Sequence, residues 1–443
     1  MWTQKTILLN DSFSYTRYGT PWLNAFWISE IVFYLLYHVG GYFAIAAFVS
    51  LTGAITFHHI YKQLPGNIFV NSMVVILGAM TAAPIWGPRP QIISFMLIAT
   101  LDGWVTKANS FKTKGWILVP LFALWSNLHG GWIWGFLLLA AHIAGMITEL
   151  LPMKSSEQKS LLLKDILSLC LWFVLAAFAV CLNPNGLKIW ELPFQQINVS
   201  MNIQEWLSPD FHRIDFHPML WMIFLIIILF PLTKNPPSWS RLYKVIGFLY
   251  LTFIAQRNIA LFAIVAVPLL SEMANGGFHR PELIKFASRP PDLNPKLTFL
   301  FNTLIVILLI AMATGYIFVV TRSPRIDNNY PVAAVEWLKV HNPQGRLFNT
   351  YNWGGYLLWN LPEYPVFIDG RADMYGKDIL SQWHGVVNDR VDAIQILDKW
   401  DINIILLEPG WPIIKSLKIK GWKTVHQDDM SIIMLRPTVT INQ

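Results

Sequence analysis

Five stretches of this chain carry residue types whose spacing could do chemistry. The first, DSFSYTRYGTPWLNAFWISE, holds Asp11 and Glu30. A carboxylate held at a membrane surface can act as a general base toward an acceptor hydroxyl; equally, Asp11 can start a turn or cap a helix and Glu30 can face water. The second, GPRPQ, presents Arg89 as a lone charge in a tight turn between two apolar runs. Its planar guanidinium suits a phosphate or pyrophosphate, which it can grip with two parallel charge-assisted hydrogen bonds, or it can pair with a carboxylate or snorkel to the interface. The third, LWSNLHGGWIWG, places Asn127 and His129 at a break between apolar segments, where polar groups are costly unless they serve water, a ligand or the backbone. Gly131 and Gly135 there have the spacing of a close helix contact.

The fourth stretch is a long loop, NPNGLKIWELPFQQINVSMNIQEWLSPDFH, with Glu191, Glu205, Asp210 and His212. Carboxylates with a histidine can bind a metal or an acceptor, but no metal-ligand spacing is recognisable, and a solvated interfacial loop is the plainer reading. Arg257 and Asn258, at a later break, extend the same polar surface. The fifth is NTYNWGGYLLWNLPEYPVFIDGRADMYG, in which Asp369, Arg371 and Asp373 share one loop beside Trp353 and Tyr356. Aromatic faces beside paired carboxylates suit the C–H faces and hydroxyls of a sugar; a salt-bridge knot of Asp369, Arg371 and Asp373 that locks the loop is the alternative.

The elements that must position these groups follow from composition. Of 443 residues, 54% are apolar and 13% charged, with a mean hydropathy of +0.43. That excludes a disordered chain and an ordinary soluble one, and without sustained strand-length alternation it excludes an outer-membrane barrel. A mainly α, polytopic transmembrane bundle remains. Apolar runs at 39–60, 68–85, 91–105, 116–127, 131–151, 166–182, 218–233, 245–256, 259–274 and 297–321 predict about ten membrane segments, 116–127 and 245–256 being short enough for half-helices. The net charge of +7 shows no clustered basic and aromatic pattern for nucleic acid. Cys170 and Cys181 are roughly 16 Å apart along one helix, beyond disulfide reach.

The cations alternate by loop. Lys62, then Lys107, Lys112 and Lys114, then Lys154, Lys159 and Lys164, then Lys234, Arg241 and Lys244, then Arg280, Lys285, Arg289 and Lys296 occupy one set, while the other holds Arg89, Lys188, Arg213 and Arg257. The positive-inside rule makes the first set cytoplasmic, and so the long loop and everything past 321 extracytoplasmic. Residues 1–38 read as an outer interfacial segment, with Trp27 to Tyr37 an aromatic helix lying in the interface before the chain dives at Gly40 and Gly41. Residues 39–321 are the bundle. Residues 322–443 read as a small extracytoplasmic α/β domain, with strands in RLFN, PVFID, NIILLEP and SIIMLRP and helices near 331–341, 376–388 and 391–400.

Taken in order, FSYTRYGTPWLN, RPQ, LWSNLHGGW, NPNG, EWLSPDFH, QRNIALFAI and NWGGYL with PVFIDGRADMYG resemble bacterial polytopic membrane proteins of the GT-C glycosyltransferase type, relatives of the dolichyl-phosphate-mannose protein mannosyltransferases. The likeness runs over nearly the whole chain. It implies transfer of a sugar from a polyprenyl-phosphate carrier to a glycan, lipid or protein acceptor on the extracytoplasmic face of the inner membrane, with inversion and an acidic residue of the first outer loop at the centre. On that reading Arg89 and Arg257 hold the carrier phosphate, Asp11 or Glu30 serves the acceptor, and Asn127, His129, Glu205, Asp210, His212 and Asn258 line the cavity. The loop of Trp353, Tyr356, Asp369, Arg371 and Asp373 closes over the sugar. No cofactor is called for; a divalent metal is compatible but unsupported. Such proteins begin with a membrane helix and an acidic, Trp-rich stretch ahead of the DSFSYT block, and Asp11 matches the later acidic position, which implies an N-terminally incomplete chain or one that has lost activity. Two readings from other classes are a flippase for a lipid-linked saccharide, which predicts mid-span charges and an internal repeat, and a catalytically inactive membrane scaffold.

Overall fold

The computed structural model describes residues 6–107, 111–199, 204–277 and 329–439, with isolated positions between 296 and 307. In chain order the principal helices are α1 Trp27–Tyr61, α2 Ile68–Ala82, α3 Gln91–Lys107, α4 Leu118–Leu128, α5 Trp132–Leu150, α6 Ser156–Ala179, α7 Leu192–Val199, α8 His217–Leu229, α9 Trp239–Ile254 and α10 Ile259–Asn275. They are followed by α11 Val332–His341, β1 Arg346–Asn349, α12 Gly354–Asn360, α13 Ala372–Val387, α14 Ala393–Lys399, β2 Ile402–Leu407, α15 Ile413–Ile419, β3 Lys423–Gln427 and β4 Ile432–Leu435. The protein is thus mainly helical with one small mixed sheet, as the sequence predicts. Nine of the apolar runs coincide with helices; the tenth, 297–321, lies largely outside the described residues.

Among the described residues, five helical runs are long and apolar enough to cross a membrane: Trp27–Tyr61, Ile68–Ile85, Trp132–Leu150, Ser156–Leu182 and Gln256–Asn275. Their outward faces fit a lipid environment. On α6, Leu167, Leu171, Val174 and Phe178 are all exposed, a stripe that water would penalise and acyl chains accept. Helix α10 is the converse: residues 259 to 271 are buried without a break, as befits a helix apolar all round at the centre of a bundle. Helix α1 is two arms, since Gly40 is non-helical and Gly41 adopts φ 57°, ψ −146°, a conformation that only glycine tolerates without strain. The elbow falls where the sequence predicts the chain to dive, and Val39, Tyr42 and Phe43 are exposed around it.

The chain forms two compact units. One contains Ala25–Trp190 and Ile203–Thr314 and is the bundle; the other is assembled from Lys5–Asn24, Glu191–Asn202 and Gly315–Gln443. The stretch read as one interfacial segment, 1–38, is therefore divided between them.

In the second unit the sheet has the order β1-β2-β4-β3, parallel between β1 and β2 and antiparallel elsewhere. Strand β2 is central, and its continuous apolar run is buried on both faces. Leu347, Ile404, Leu406, Ile433 and Leu435 point to one side, where they meet Ala334, Leu338, Trp353 and Leu357. One expectation needs correction. PVFID is not a member of this sheet; KTVHQ supplies the edge strand instead. The backbone of Val366 bridges to the N-terminal segment at Ser14. On its other side the Asn349 side chain replaces a neighbouring strand, accepting from Phe367 N–H at 2.9 Å and donating to the Ile368 carbonyl at 2.8 Å.

Candidate functional site

Helix α4 ends because His129 is extended, at φ −165° and ψ 145°, and two glycines follow it. A helix end leaves carbonyls without partners, and here side chains from other elements take them. Ser29 donates to the Leu128 carbonyl at 2.5 Å and Asn183 to that of Ser126 at 2.8 Å. Asn127 turns back to the Ala123 carbonyl at 2.8 Å, and its Oδ1 accepts the Trp27 indole N–H at 2.7 Å. Asn183 in turn accepts from Asn185 N–H at 2.9 Å, so the NPNG turn is part of the same network. Gly135 allows α5 to approach α4: a side chain there would meet Trp125 at 2.7 Å.

His129 is buried. Its Nδ1 accepts the Gly131 N–H at 2.9 Å and lies 2.8 Å from Ser94 Oγ, which accepts the Trp125 indole N–H at 2.7 Å. Burial, with the Arg257 cation nearby, pushes its pKa down, so the imidazole is neutral.

Arg257 lies in the short turn Gln256–Asn258 after α9 and stacks its guanidinium 4.3 Å over the Trp206 ring. Gln256 fixes that neighbourhood, donating from its backbone to Leu207 at 2.8 Å and from its side chain to the Gln204 carbonyl at 2.6 Å. Arg89 pairs with Glu205, so two of the expected groups are engaged with each other. Asn258 is buried and donates to the Leu251 carbonyl at 3.0 Å, an assignment to the helix end. Asp210 and His212 bond to one another at 2.9 Å and are exposed; hydrogen bonds from His212 hold the Asp210 carboxyl below its usual range. Among the described residues no three His, Cys, Asp or Glu side chains are grouped as a metal site would need. Glu30 is in the first turn of α1 and half-buried.

The remaining expected residues gather in the second unit. Arg371 donates from Nε to Asp369 at 2.9 Å and from Nη2 at 2.6 Å, and its Nη1 is 2.8 Å from Asp11. Its guanidinium lies between the rings of Phe13 and Trp22, 5.1 and 4.9 Å from their centres. Asp11 also accepts Ser14 N–H at 3.0 Å and Ser14 O–H at 2.7 Å, and none of its side-chain surface is accessible. Tyr375 O–H completes the Asp369 shell at 2.8 Å; burial and the Asp369 charge raise its pKa. The knot anticipated within one loop is thus a clasp between that loop and the N-terminal segment, with Asp11 in place of Asp373. Asp373 Oδ2 is buried without a hydrogen-bond partner among the described residues, and burial raises its carboxyl pKa. Trp353 is a core residue, its indole N–H bonded to the Asn329 carbonyl at 3.2 Å, and Tyr356 stacks on Tyr330.

Sequence reasoning did not single out Ser94, Trp125, Asn183 or Trp206. Ser94 was visible as a lone hydroxyl in the apolar run QIISFML, the signal that could have drawn attention to it. No family model matches the chain, and comparison with curated proteins returns no match.

Proposed function

We propose that this chain is a GT-C-like membrane transferase that passes a sugar from a polyprenyl-phosphate carrier to a glycan, lipid or protein acceptor at the extracytoplasmic face of the inner membrane. The observation that carries the reading is the Arg257 guanidinium on the Trp206 face beside a neutral His129. A guanidinium suits a phosphate, which it can grip with charge-assisted hydrogen bonds, and the Trp206 ring fixes its plane. Arg89, shared with Glu205, assists. Glu30 is the carboxylate for the acceptor, because Asp11 is spent in the clasp with Arg371. Phosphate is a ready leaving group, so positioning and stabilisation of the departing oxygen supply most of the required chemistry.

The alternation of cations along the sequence supports the orientation, since the positive-inside rule puts the cation-rich set in the cytoplasm.

Purified protein in lipid nanodiscs, given a polyprenyl-phosphate sugar and a lipid acceptor, is expected to release free polyprenyl phosphate, and Arg257→Ala to abolish release. Unchanged release by that variant would overturn the phosphate role, and a reporter fused after Gln443 that works only in the cytosol would overturn the orientation. The burial of Asp11 favours one second reading, an inactive scaffold; it predicts carrier-phosphate binding without turnover.

A further inference from the structure

The bonds at His129 determine which of its nitrogens carries the proton. A backbone amide can only donate, so Nδ1, which receives Gly131 N–H at 2.9 Å, is the unprotonated nitrogen. Ser94 Oγ is filled from the other side by the Trp125 indole N–H at 2.7 Å and so turns its own proton to Nδ1 at 2.8 Å. The neutral ring therefore bears its proton on Nε2. The arrangement admits no side chain at position 131, where a Cβ would come within 2.6 Å of Ser94 Oγ and 2.7 Å of Nδ1. Phe26 and Trp134 flank the ring, 6.1 and 5.8 Å between centres. Two polar contacts to Nδ1, one of them held in turn by Trp125, thus orient the imidazole, and among the described residues its Nε2–H donates to nothing. A donor oriented so firmly on a ring that is still 8% exposed, and left without a protein partner, is placed to bind a ligand.

We propose that His129 is a substrate-binding residue whose Nε2–H donates to a phosphate oxygen that Arg257 also holds, and that Ser94 is the positioning residue that keeps the proton on Nε2. This rests on the carrier-phosphate reading above and adds to it a neutral donor. A neutral imidazole grips the phosphate without competing for a proton, and it stabilises charge on the oxygen that departs with the carrier.

The tautomer can be read without any ligand. In the full chain labelled with nitrogen-15 at histidine, the resonances lost in His129→Gln should show an unprotonated Nδ1 and a protonated Nε2; a protonated Nδ1 would overturn the proposal. Binding is read with farnesyl phosphate, with farnesol and inorganic phosphate as controls. His129→Ala should weaken farnesyl phosphate binding about ten- to a hundredfold and leave farnesol unaffected. His129→Gln, whose amide N–H can reach the same place, should recover part of the loss. Ser94→Ala should weaken binding less than His129→Ala and add a second tautomer to the spectrum. If wild type binds and Arg257→Ala does not, yet His129→Ala and His129→Gln both match wild type, this inference fails alone. If wild type does not bind farnesyl phosphate, the carrier-phosphate reading fails and takes this inference with it.

Discussion

The bundle carries two opposite solutions to burying polar groups, one near each end of α3. Toward the end of α3 that finishes at Lys107, Asp102 pairs with Lys244 and, at 3.1 Å, with Arg241 of α9, while Arg241 also meets Glu272 of α10 at 2.7 Å. There every charge is matched by an opposite charge. Toward the other end, where α3 begins and α9 gives way to Gln256 and Arg257, the buried groups are amides, a serine, an indole and a neutral imidazole. The lesson concerns spare capacity. A quartet of mutually satisfied ions is closed and ties helices together, whereas the neutral network keeps one donor uncommitted and stands beside a cation on an aromatic face.

The largest effect is expected at the charged end. Asp102→Asn leaves Lys244 and Arg241 short of a negative partner and should cost about 3–5 kcal/mol, the range for breaking a buried pair. Thermal unfolding of the detergent-purified chain checks this, and an unchanged midpoint would mean that the quartet does not hold α3 to α9. At the neutral end Asn183→Ala should cost less, about 1–3 kcal/mol, by stranding the Ser126 carbonyl. A loss equal to that of Asp102→Asn would erase the proposed contrast. Glu205→Gln, at a partly exposed pair, should change stability by less than about 1 kcal/mol while tightening farnesyl phosphate binding through the released Arg89; weaker binding would count against an anion at this rim.

The second unit supplies a counter-case to Asp102, since Asp373 has a buried Oδ2 without a hydrogen-bond partner among the described residues rather than a pair of cations. Its pKa is raised on folding, so the protonated form is favoured in the folded state. Its contribution to stability is full below the ordinary aspartate range and is lost as pH rises through the raised value. Asp373→Asn should therefore stabilise the chain at neutral pH and leave it unchanged in acid. Unfolding followed between pH 4 and 8 tests the sign, and a gain confined to the acid side would refute it.

Much of the fold was legible because it depends on local composition. The apolar runs had to be helices once a membrane replaced water, since an unpaired backbone there is too costly; the break at Gly40 and Gly41 follows from glycine alone. The PVFID run was misread for a complementary reason: its apolar, β-prone residues specify an extended backbone, but which chain lies beside it depends on an asparagine side chain and a segment some 350 residues away. The break residues Asn127 and His129 stood out as polar groups in an apolar setting. What they bond to did not, because Ser94, Ser29 and Asn183 come from remote helices and turns.

The sequence by itself determined that the chain is built of apolar helices suited to lipid and roughly where those helices fall, because hydrophobicity acts over a few residues; Arg241 and Lys244, read as loop cations, lie within α9. Only the tertiary structure decided that Asp11 is locked to Arg371 in a clasp, that Lys244 and Arg241 are buried against Asp102, and that His129 keeps an unspent proton on Nε2. Each of those outcomes depends on which distant side chain supplies the opposing charge or the donated hydrogen, and pairings of that kind exist only after the chain has packed.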